Sequence, residues 1–458
     1  MKRRPKRLGE ILIENGLLTK KELKAALKIQ KNEGGLIGQI LIKNGFVNEG
    51  DIANVLTQQQ EYLYIPAKAL VLSLKHKILI IATSLLLSTF PLFYFDYQPF
   101  LKNIDRRIYG GLLHLEYILR RPPAAINDIV IVGIDNETVS NMPYRWPYPR
   151  SDSATVIENL KKAEPRVIGI DLAYFGKSTK EDDALLQKAF DSNKLILAAT
   201  INEYGYLTVP DDLSFESNTI YGITTKLQDE DGIIRRNLIY LISKKKRQEG
   251  FLSWEMQILK AAKGIDIASI TEKSNTVTFQ NKNGEKWNVP VNPISKSFLI
   301  HFRAHTQDFQ RIPFYRVLKA DFNPLIIKNK IVLIGVLPAL FQDIQNTSFG
   351  FLPGVILNAN AFLALYTHDF LKEVPQLIEK MVIIIGVILA SIFLLLLSAP
   401  KAAMIIFLEI CLFFVLSYVL IVSGYIWNYI TFPCTVVICP LLAKRLLNRN
   451  FLDLIIKM

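Results

Sequence analysis

The chain has 458 residues, half of them apolar, and carries a formal net charge of +13. Its mean hydropathy of +0.24 is high for a soluble protein, and the apolar residues are concentrated in four long runs. The length fits two or three domains, and no interleaving of basic and aromatic residues favours nucleic acid as a partner. The composition therefore predicts a multi-domain membrane protein with membrane lipid as a partner.

An internal repeat opens the chain. Residues 7–30 read RLGEILIENGLLTKKELKAALKIQ and residues 36–59 read LIGQILIKNGFVNEGDIANVLTQQ. Each unit predicts a short helix, a glycine stop at Gly16 or Gly45, and a second helix. Thr19 and Glu22 form a capping-box pattern at the start of that second helix. The repeat predicts a small all-α tandem-repeat module over residues 1–62, followed by a linker over 63–77.

This repeat resembles the MshEN family, the N-terminal domain of type II secretion and pilus assembly ATPases, whose members bind cyclic di-GMP through two such motifs. The resemblance covers residues 7–59 and implies these binding positions: Arg7, Leu8, Gly9, Gly16, Leu17, Gln30, Ile37, Gly38, Gly45, Phe46 and Gln59.

The second motif departs from the family pattern because Leu36 stands where the family has arginine. An arginine offers a planar fork to phosphate or guanine, and leucine offers no hydrogen bond. The module is therefore predicted either to bind cyclic di-GMP or to be a binding-dead scaffold that docks a protein.

The first apolar run, residues 78–95, predicts a transmembrane helix that acts as an uncleaved signal anchor, because the preceding residues are polar and patterned. The next segment, residues 96–377, predicts a large extracytoplasmic α/β domain. Apolar strands at 128–135 and 166–174 flank a predicted helix at 153–162, which is typical of a parallel β-α-β unit. Further strands are predicted at 195, 235, 298 and 331, and further helices at 102–119 and 182–190.

Three aspartates follow predicted strands of this domain: Asp135, Asp171 and Asp343. The carboxyl edge of a parallel sheet is where ligands bind in open α/β folds, so these residues are a predicted sensor-domain pocket for a cation or polar ligand. The alternative is that they cap helices and brace loops, as aspartates at such junctions commonly do.

The same segment resembles the second type of CHASE domain, an extracellular sensory domain of cyclases and histidine kinases. The resemblance is carried by IVGID at 131–135, Trp146-Pro147, Arg150, VIGIDLAY at 167–174, Asp183, Asp231-Gly232, Arg235-Arg236, HFR at 301–303, IVLIG at 331–335, Asp343 and PGVILNANA at 353–361. It covers about residues 96–375 and implies one membrane span before the domain and three after it. Such domains usually precede a cytoplasmic catalytic domain, and no such output domain fits in residues 444–458.

The C-terminal apolar runs predict three more transmembrane helices, at 378–400, 402–422 and 428–443, and a cytoplasmic tail at 444–458. Ser423-Gly424 marks the turn between the last two. Glu409 lies inside the third span, where a carboxyl is costly, and is predicted to be either a signalling or proton-sensitive site or a structural, hydrogen-bonded group.

Lysine and arginine cluster at the N-terminus, before the first span, at Lys401 and in the tail. By the positive-inside rule this places both termini in the cytoplasm and residues 96 to about 377 outside. The predicted location is the bacterial inner membrane. The only cysteines, Cys411, Cys434 and Cys439, fall in the C-terminal spans, so the outer domain is expected to have no disulfide.

The sequence contains no phosphate-binding loop, HExxH or GxSxG motif. His301 and His305 follow a predicted strand, which disfavours a shared metal, and Asp229, Glu230 and Asp231 before Gly232 predict a solvated turn rather than a cation site. We therefore expect no enzyme activity, metal or cofactor.

Two functional readings remain from sequence. The first is a transmembrane sensor or signal-coupling protein that responds to an unidentified extracytoplasmic ligand, is a homo-oligomer by family analogy, and acts through a cytoplasmic output protein in trans. The second is a non-sensing envelope or secretion assembly scaffold. A hydrolase using Asp135 and Asp171 ranks last because no nucleophile and base accompany them.

Overall fold

The computed structural model describes residues 7–63, 74–94, 99–174, 178–201, 207–208, 219–242, 250–273, 275–337 and 343–447. The basic residues before Arg7 and the predicted tail beyond residue 447 lie outside these ranges. The described chain divides into two compact units, Met1–Leu79 and Ile80–Met458, and each is described by itself.

The α-helices are numbered in chain order. They are α1 Leu8–Glu14, α2 Lys20–Glu33, α3 Ile37–Lys43, α4 Glu49–Leu63, α5 Leu74–Tyr94, α6 Pro99–Leu119, α7 Asn136–Asn141, α8 Arg150–Lys162, α9 Lys180–Phe190, α10 Trp254–Lys263, α11 Phe314–Leu318, α12 Gly354–Thr367, α13 Gln376–Leu396, α14 Ala399–Val422 and α15 Thr431–Leu446.

The β-strands follow the same convention. They are β1 Ile129–Ile134, β2 Val167–Ile170, β3 Leu195–Ile201, β4 Leu207–Thr208, β5 Ile220–Ile223, β6 Leu227–Gln228, β7 Ile234–Leu238, β8 Tyr240–Ile242, β9 Gly250–Leu252, β10 Ile265–Lys273, β11 Thr276–Asn281, β12 Lys286–Pro290, β13 Ser297–Ile300, β14 Gln310–Pro313, β15 Ile331–Val336, β16 Ile344–Thr347, β17 Gly350–Pro353, β18 Phe370–Glu373 and β19 Tyr425–Ile426.

The N-terminal unit folds as the repeat predicts, with α1 and α2 from the first motif and α3 and α4 from the second. Gly16 and Gly45 both have positive φ, 72° and 67°, the left-handed conformation that ends a helix. The Thr19 hydroxyl accepts a hydrogen bond from the Glu22 N–H, which confirms the capping box. The core repeats as well: the buried residues of the first motif and their counterparts in the second are Ile11 and Ile40, Leu12 and Leu41, Leu18 and Val47, and Ala26 and Val55.

A parallel sheet forms the centre of the second unit. Its strand order is β14-β1-β15-β2-β3-β5, and all of these strands run parallel. The residues of β1, β2 and β15 are buried throughout, because helices cover both faces of the sheet. One face packs against residues of α8, α9 and α11, and the other packs against residues of α10 and α12. This confirms the predicted α/β domain.

A second sheet adjoins the first and was not predicted. Its order is β17-β16-β7-β13-β18-β19, and it mixes parallel and antiparallel pairs. The run predicted as one strand at 235 is divided, since β7 pairs in this sheet whereas β8 forms a hairpin with β9. Periodicity alone identifies a strand but does not say which sheet it joins.

Two helices, not the predicted four, are long and apolar enough to cross a membrane within the described residues: α13 and α14. They match the predicted spans at 378–400 and 402–422. The span predicted at 428–443 falls on α15, which has 16 residues and is shorter than the ~20 that the hydrocarbon core requires. The span predicted at 78–95 falls on α5, whose first turn carries Lys75, His76 and Lys77.

The turn between α14 and α15 pairs with the second sheet. Gly424 has φ 81°, as the predicted Ser423-Gly424 turn requires, and β19 follows it directly. Lys372 and Glu373 of β18 pair in parallel register with Tyr425 and Ile426. Because β18 leads into α13, the start of α13 and the end of α14 lie together beside the α/β domain.

Candidate functional site

A polar cleft opens at the carboxyl edge of the parallel sheet. Asp171 follows β2 directly, and Asp343 lies between β15 and β16. Both line the same cleft of about 220 Å³, together with Lys226, Gln345 and Asn358. The structure thus brings two of the three predicted pocket aspartates together.

Asp171 is the most perturbed carboxyl of the cleft. Burial, and then the neighbouring charges of Asp343 and Glu255, raise its pKa to about 7 against the opposing effects of Lys226 and a hydrogen bond from Asn358. The Asn358 amide donates to Asp171 Oδ2 at 2.8 Å. Near neutral pH this group therefore exchanges readily between a hydrogen-bond donor and a charged acceptor.

Asp343 packs against the start of α12, where its backbone carbonyl accepts a hydrogen bond from the Gly354 N–H at 3.0 Å. A Cβ added at Gly354, the first residue of that helix, would lie only 2.5 Å from Asp343 Oδ1, so a larger residue there would displace the carboxylate. Burial raises the pKa of Asp343, and the Gln345 side-chain amide donates to Oδ1 at 3.2 Å.

A buried ion pair forms another wall. Lys226 Nζ lies 2.7 Å from Glu255 Oε1, with exposed fractions of 8% and 0%. The Asn237 amide donates to the other oxygen of Glu255 at 2.9 Å. Because both charges are removed from water, this pair fixes the loop that carries Lys226 against α10.

A smaller apolar pocket of about 120 Å³ adjoins the cleft and shares Asp171 and Thr224 with it. Its wall includes Tyr174, whose carbonyl accepts a hydrogen bond from Arg150 Nη2 at 3.0 Å. Arg150 also pairs with Asp183 of α9. Arg150 and Asp183, which are both among the residues that carry the CHASE resemblance, thus hold the backbone that follows β2 in place.

Asp135 does not join this cleft, so its assignment to the pocket is corrected. Its carboxylate caps α7 and accepts hydrogen bonds from the backbone N–H and the hydroxyl of Thr138, both at 2.9 Å. These bonds satisfy the start of the helix. For Asp135 the structural alternative given by the sequence is confirmed.

The arrangement suits a small polar ligand. Carboxyl, amide and ammonium groups converge beside an apolar pocket, which is the usual composition of a ligand site, although each volume lies below the ~300–1,000 Å³ of drug-sized sites. Within the described ranges, no group of three or more His, Cys, Asp and Glu residues has metal-binding geometry.

The acidic turn at 229–232 holds a side chain of the protein itself. Arg235 Nη1 lies 2.7 Å from Asp229 Oδ2, and its Nη2 lies 2.9 Å from Asp231 Oδ2. The Arg235 guanidinium therefore fills the position that a cation would take.

The predicted nucleotide positions of the N-terminal unit lie at helix starts and glycine turns. Arg7 precedes α1 and is exposed, as are Gly16, Leu17 and Gly45, whereas Leu8, Ile37, Gly38 and Phe46 are partly buried and Gly9 is buried. The Gln30 amide donates to the Gly35 carbonyl at 2.9 Å, and Leu36 is 70% exposed. Gln59 falls on α4, with its side chain outside the described part. Cyclic di-GMP binding stays a prediction.

Glu409 lies within α14, as predicted, and is partly buried. Its Oε2 atom is enclosed and makes no hydrogen bond to the described residues.

Four residues of the cleft and its wall were not predicted from the sequence: Lys226, Glu255, Asn358 and Gln345. Only Asn358 lay in a recognised motif, and the Lys226–Glu255 pair joins a loop to a helix far along the chain, which no local pattern reports.

The fold and the cleft define a class: an α/β domain with a ligand-type cleft, followed by two candidate membrane spans. The model of the CHASE2 domain family matches residues 41–396, a wider range than the 96–375 covered by the resemblance seen in the sequence. The chain belongs to the CHASE2 domain family, which is a family of extracellular sensory domains. No curated protein and no solved structure matches the chain.

Proposed function

We propose that this chain is a bacterial transmembrane sensor whose α/β domain lies outside the cytoplasmic membrane and binds a small ligand in the Asp171–Asp343 cleft. The observation that carries the proposal is the pair of carboxyls at the carboxyl edge of the sheet, one of which has a pKa near 7. The CHASE2 family supports the sensory role.

The ligand class follows from the cleft. An ammonium or amidinium group would take the place of the proton that Asp171 holds and would offset the energetic cost of ionising Asp171 beside Asp343. The adjoining apolar pocket accepts a short hydrocarbon part. Small organic amines and amino acids with basic side chains therefore fit best.

The signal leaves the domain through its junction with the membrane helices. The β18–β19 pairing links the second sheet to both α13 and α14, so a shift in the domain moves the helices directly. The N-terminal module is cytoplasmic in this proposal, which requires α5 to cross the membrane in addition to α13 and α14. Lys75 and Lys77 at the start of α5 support that orientation by the positive-inside rule. Output passes in trans from the N-terminal module to a cytoplasmic protein, and coupling between the two sites is reciprocal.

The test is a thermal-shift screen of the full-length protein in nanodiscs, using ethylamine, ethanolamine, lysine and arginine as probes. A ligand present at about 100 times its Kd stabilises the folded state by about 2.7 kcal/mol. Asp171→Asn is expected to abolish the shift. Asp135→Asn is the matched control, because asparagine still caps α7. Shifts that are absent throughout, or equal in wild type and Asp171→Asn, would exclude this cleft as the amine site.

One observation favours the second function, a docking scaffold. Leu36 is exposed at the start of α3, where the MshEN pattern has arginine, and the Gln30 amide already bonds Gly35. An exposed leucine suits a protein partner better than a phosphate. Calorimetric titration of cyclic di-GMP into the full-length protein, with Arg7→Ala as control, distinguishes a nucleotide receptor from a docking scaffold. Binding that is lost in Arg7→Ala supports the receptor, and no binding supports the scaffold.

A further inference from the structure

Helix α6 is the element that docks on the domain immediately after the first predicted span. Arg106 lies 3.7 Å from Asp231, and the Tyr117 hydroxyl donates to Asp308 at 3.0 Å. A Cβ on Gly110 would lie 2.9 Å from the Ser348 carbonyl, so the helix backbone and the domain are in close contact there. Release of α6 would change how the domain is tied to the membrane.

The most buried contact of α6 is centred on His301, just after β13. Its Nε2 lies 2.7 Å from Glu116 Oε2 of α6, and its Nδ1 lies 2.7 Å from Asp369 Oδ1, just before β18. His301 and Glu116 are each 1% exposed. A neutral imidazole has a single N–H and donates to only one carboxylate, so the ring satisfies two ionised carboxylates only as an imidazolium.

Two arginines complete the charges that face His301. Arg303 Nη1 lies 3.1 Å from Asp369 Oδ2 and 3.4 Å from Glu116 Oε1, and Arg120 Nη1 lies 2.9 Å from Glu116 Oε1. Arg120 is 42% exposed on its side chain, so its charge is partly screened by solvent. The cluster spans α6, the segment after β13 and the segment before β18.

Protonation of the cluster follows from these contacts. Burial alone would lower the pKa of His301, but the hydrogen bonds and charges of Asp369 and Glu116 outweigh it and raise the pKa above the usual 6.5. Burial alone would raise the pKa values of Glu116 and Asp369, but His301 together with the nearby arginines outweighs it and lowers both.

We propose that the His301 cluster is a proton-dependent clamp that holds α6 on the domain and opens as the external medium becomes alkaline. Arg303 and Arg120 still donate to the carboxylates when His301 loses its proton, but one ring nitrogen then turns a lone pair toward a carboxylate oxygen 2.7 Å away. Losing that charge-assisted hydrogen bond at a buried site is unfavourable. A histidine whose pKa is raised by folding contributes stability that is complete below pH 6.5 and is lost as pH rises through the raised value. The lowered carboxyl pKa values preserve the clamp down to acidic pH.

This proposal depends on the proposed function only in placing the cluster outside the membrane. The contacts of the His301 cluster themselves are features of the fold. His305 provides a matched control on the same segment. It packs against Tyr117 and Phe349, with ring centroids 4.6 Å and 4.2 Å away. Burial and then the nearby His114 lower its pKa, so it is neutral over the range in which His301 titrates.

The test is hydrogen–deuterium exchange of the full-length protein in nanodiscs across pH 6–9, with α6 protection corrected for intrinsic exchange. In wild type, protection of α6 is expected to fall by up to about tenfold per pH unit once His301 titrates. His301→Gln is expected to show a shallower pH dependence than wild type, and His305→Gln is expected to follow wild type. Asp171 is present in all of these variants and contributes the same pH dependence to each. The result is therefore the difference between variants in the slope of α6 protection against pH.

Asp369→Asn keeps the proposal falsifiable if His301→Gln fails to fold. Removing one carboxylate lowers the His301 pKa, so protection of α6 should begin to fall at a lower pH than in wild type. Equal slopes in wild type and His301→Gln, or no displacement of the onset in Asp369→Asn, would overturn the clamp. No ligand is present in this experiment, so its result is independent of the amine screen.

Discussion

Replacing Asp171 with asparagine tests the electrostatics of the cleft directly. In the unfolded chain this carboxyl ionises near 3.8, whereas in the folded protein its pKa is about 7. Between these values the folded state holds a proton that the unfolded state has lost, so stability falls as pH rises through this window. The full cost of ionisation is present above pH 7.

The magnitude follows from the two pKa values. Their difference corresponds to roughly 4 kcal/mol at pH 8 and roughly 1.6 kcal/mol at pH 5. Asp171 lines an open cleft, so solvent reduces both figures. Asparagine has nearly the same shape, can still accept from Asn358, and removes the ionisation. The stability gained by Asp171→Asn is therefore expected to be larger at pH 8 than at pH 5 by up to about 2.4 kcal/mol.

The assay is thermal unfolding of wild type, Asp171→Asn and Asp135→Asn in the same nanodiscs at pH 5, 6, 7 and 8. For a domain of this size 1 kcal/mol moves Tm by roughly 2 °C, so a change of several degrees in the wild-type–variant difference is expected. Asp135→Asn is expected to show no comparable trend. A difference that is constant from pH 5 to pH 8 would refute the reasoning.

Three further substitutions test other contacts. Leu36→Arg restores the motif residue and is expected to tighten cyclic di-GMP binding by roughly ten- to a hundredfold in calorimetry; unchanged affinity would argue against the nucleotide site. Lys226→Met leaves Glu255 buried without its cation and is expected to cost about 3–5 kcal/mol in chemical unfolding; a cost below about 1 kcal/mol would show that the pair is not desolvated. Gly354→Ala forces a methyl group against Asp343 and is expected to cost about 1–3 kcal/mol; a neutral result would mean that the start of α12 moves aside.

The control for the glycine substitution is Gly111→Ala. Gly111 lies inside α6 with no atom within 4 Å of an added Cβ. Alanine has the higher helix propensity there, so Gly111→Ala is expected to be neutral or slightly stabilising, by up to about 1 kcal/mol.

Local features of the fold were predictable from sequence because neighbouring residues determine them. The glycine turns at Gly16 and Gly45, the Thr19 cap and the buried strand that ends before Asp135 are each set within a few residues. Features that depend on distant pairing were not predictable. The second sheet, with β18 paired to β19, needs residues separated by two helices to meet.

The candidate site shows the same division. Sequence position predicted that Asp171 follows a strand, but Asp135 occupies the same kind of position, and the pattern does not distinguish them. The difference arises afterwards, because Thr138 provides Asp135 with two hydrogen bonds. Asp171 faces Asn358 from a distant helix instead. The role of His301 was not predicted either, because its carboxylate partners lie far away in sequence.

The central claim, that ligand binding in the cleft reaches the membrane helices, is tested most directly by hydrogen exchange of the full-length protein with and without an amine that passes the screen. We expect increased protection at the carboxyl ends of β2 and β15 and a second change at β18 and β19, where the domain joins α13 and α14. Both changes should vanish in Asp171→Asn and persist in Asp135→Asn. Protection confined to the cleft would contradict the transmission of the signal, and unchanged exchange at the cleft would contradict the sensor itself.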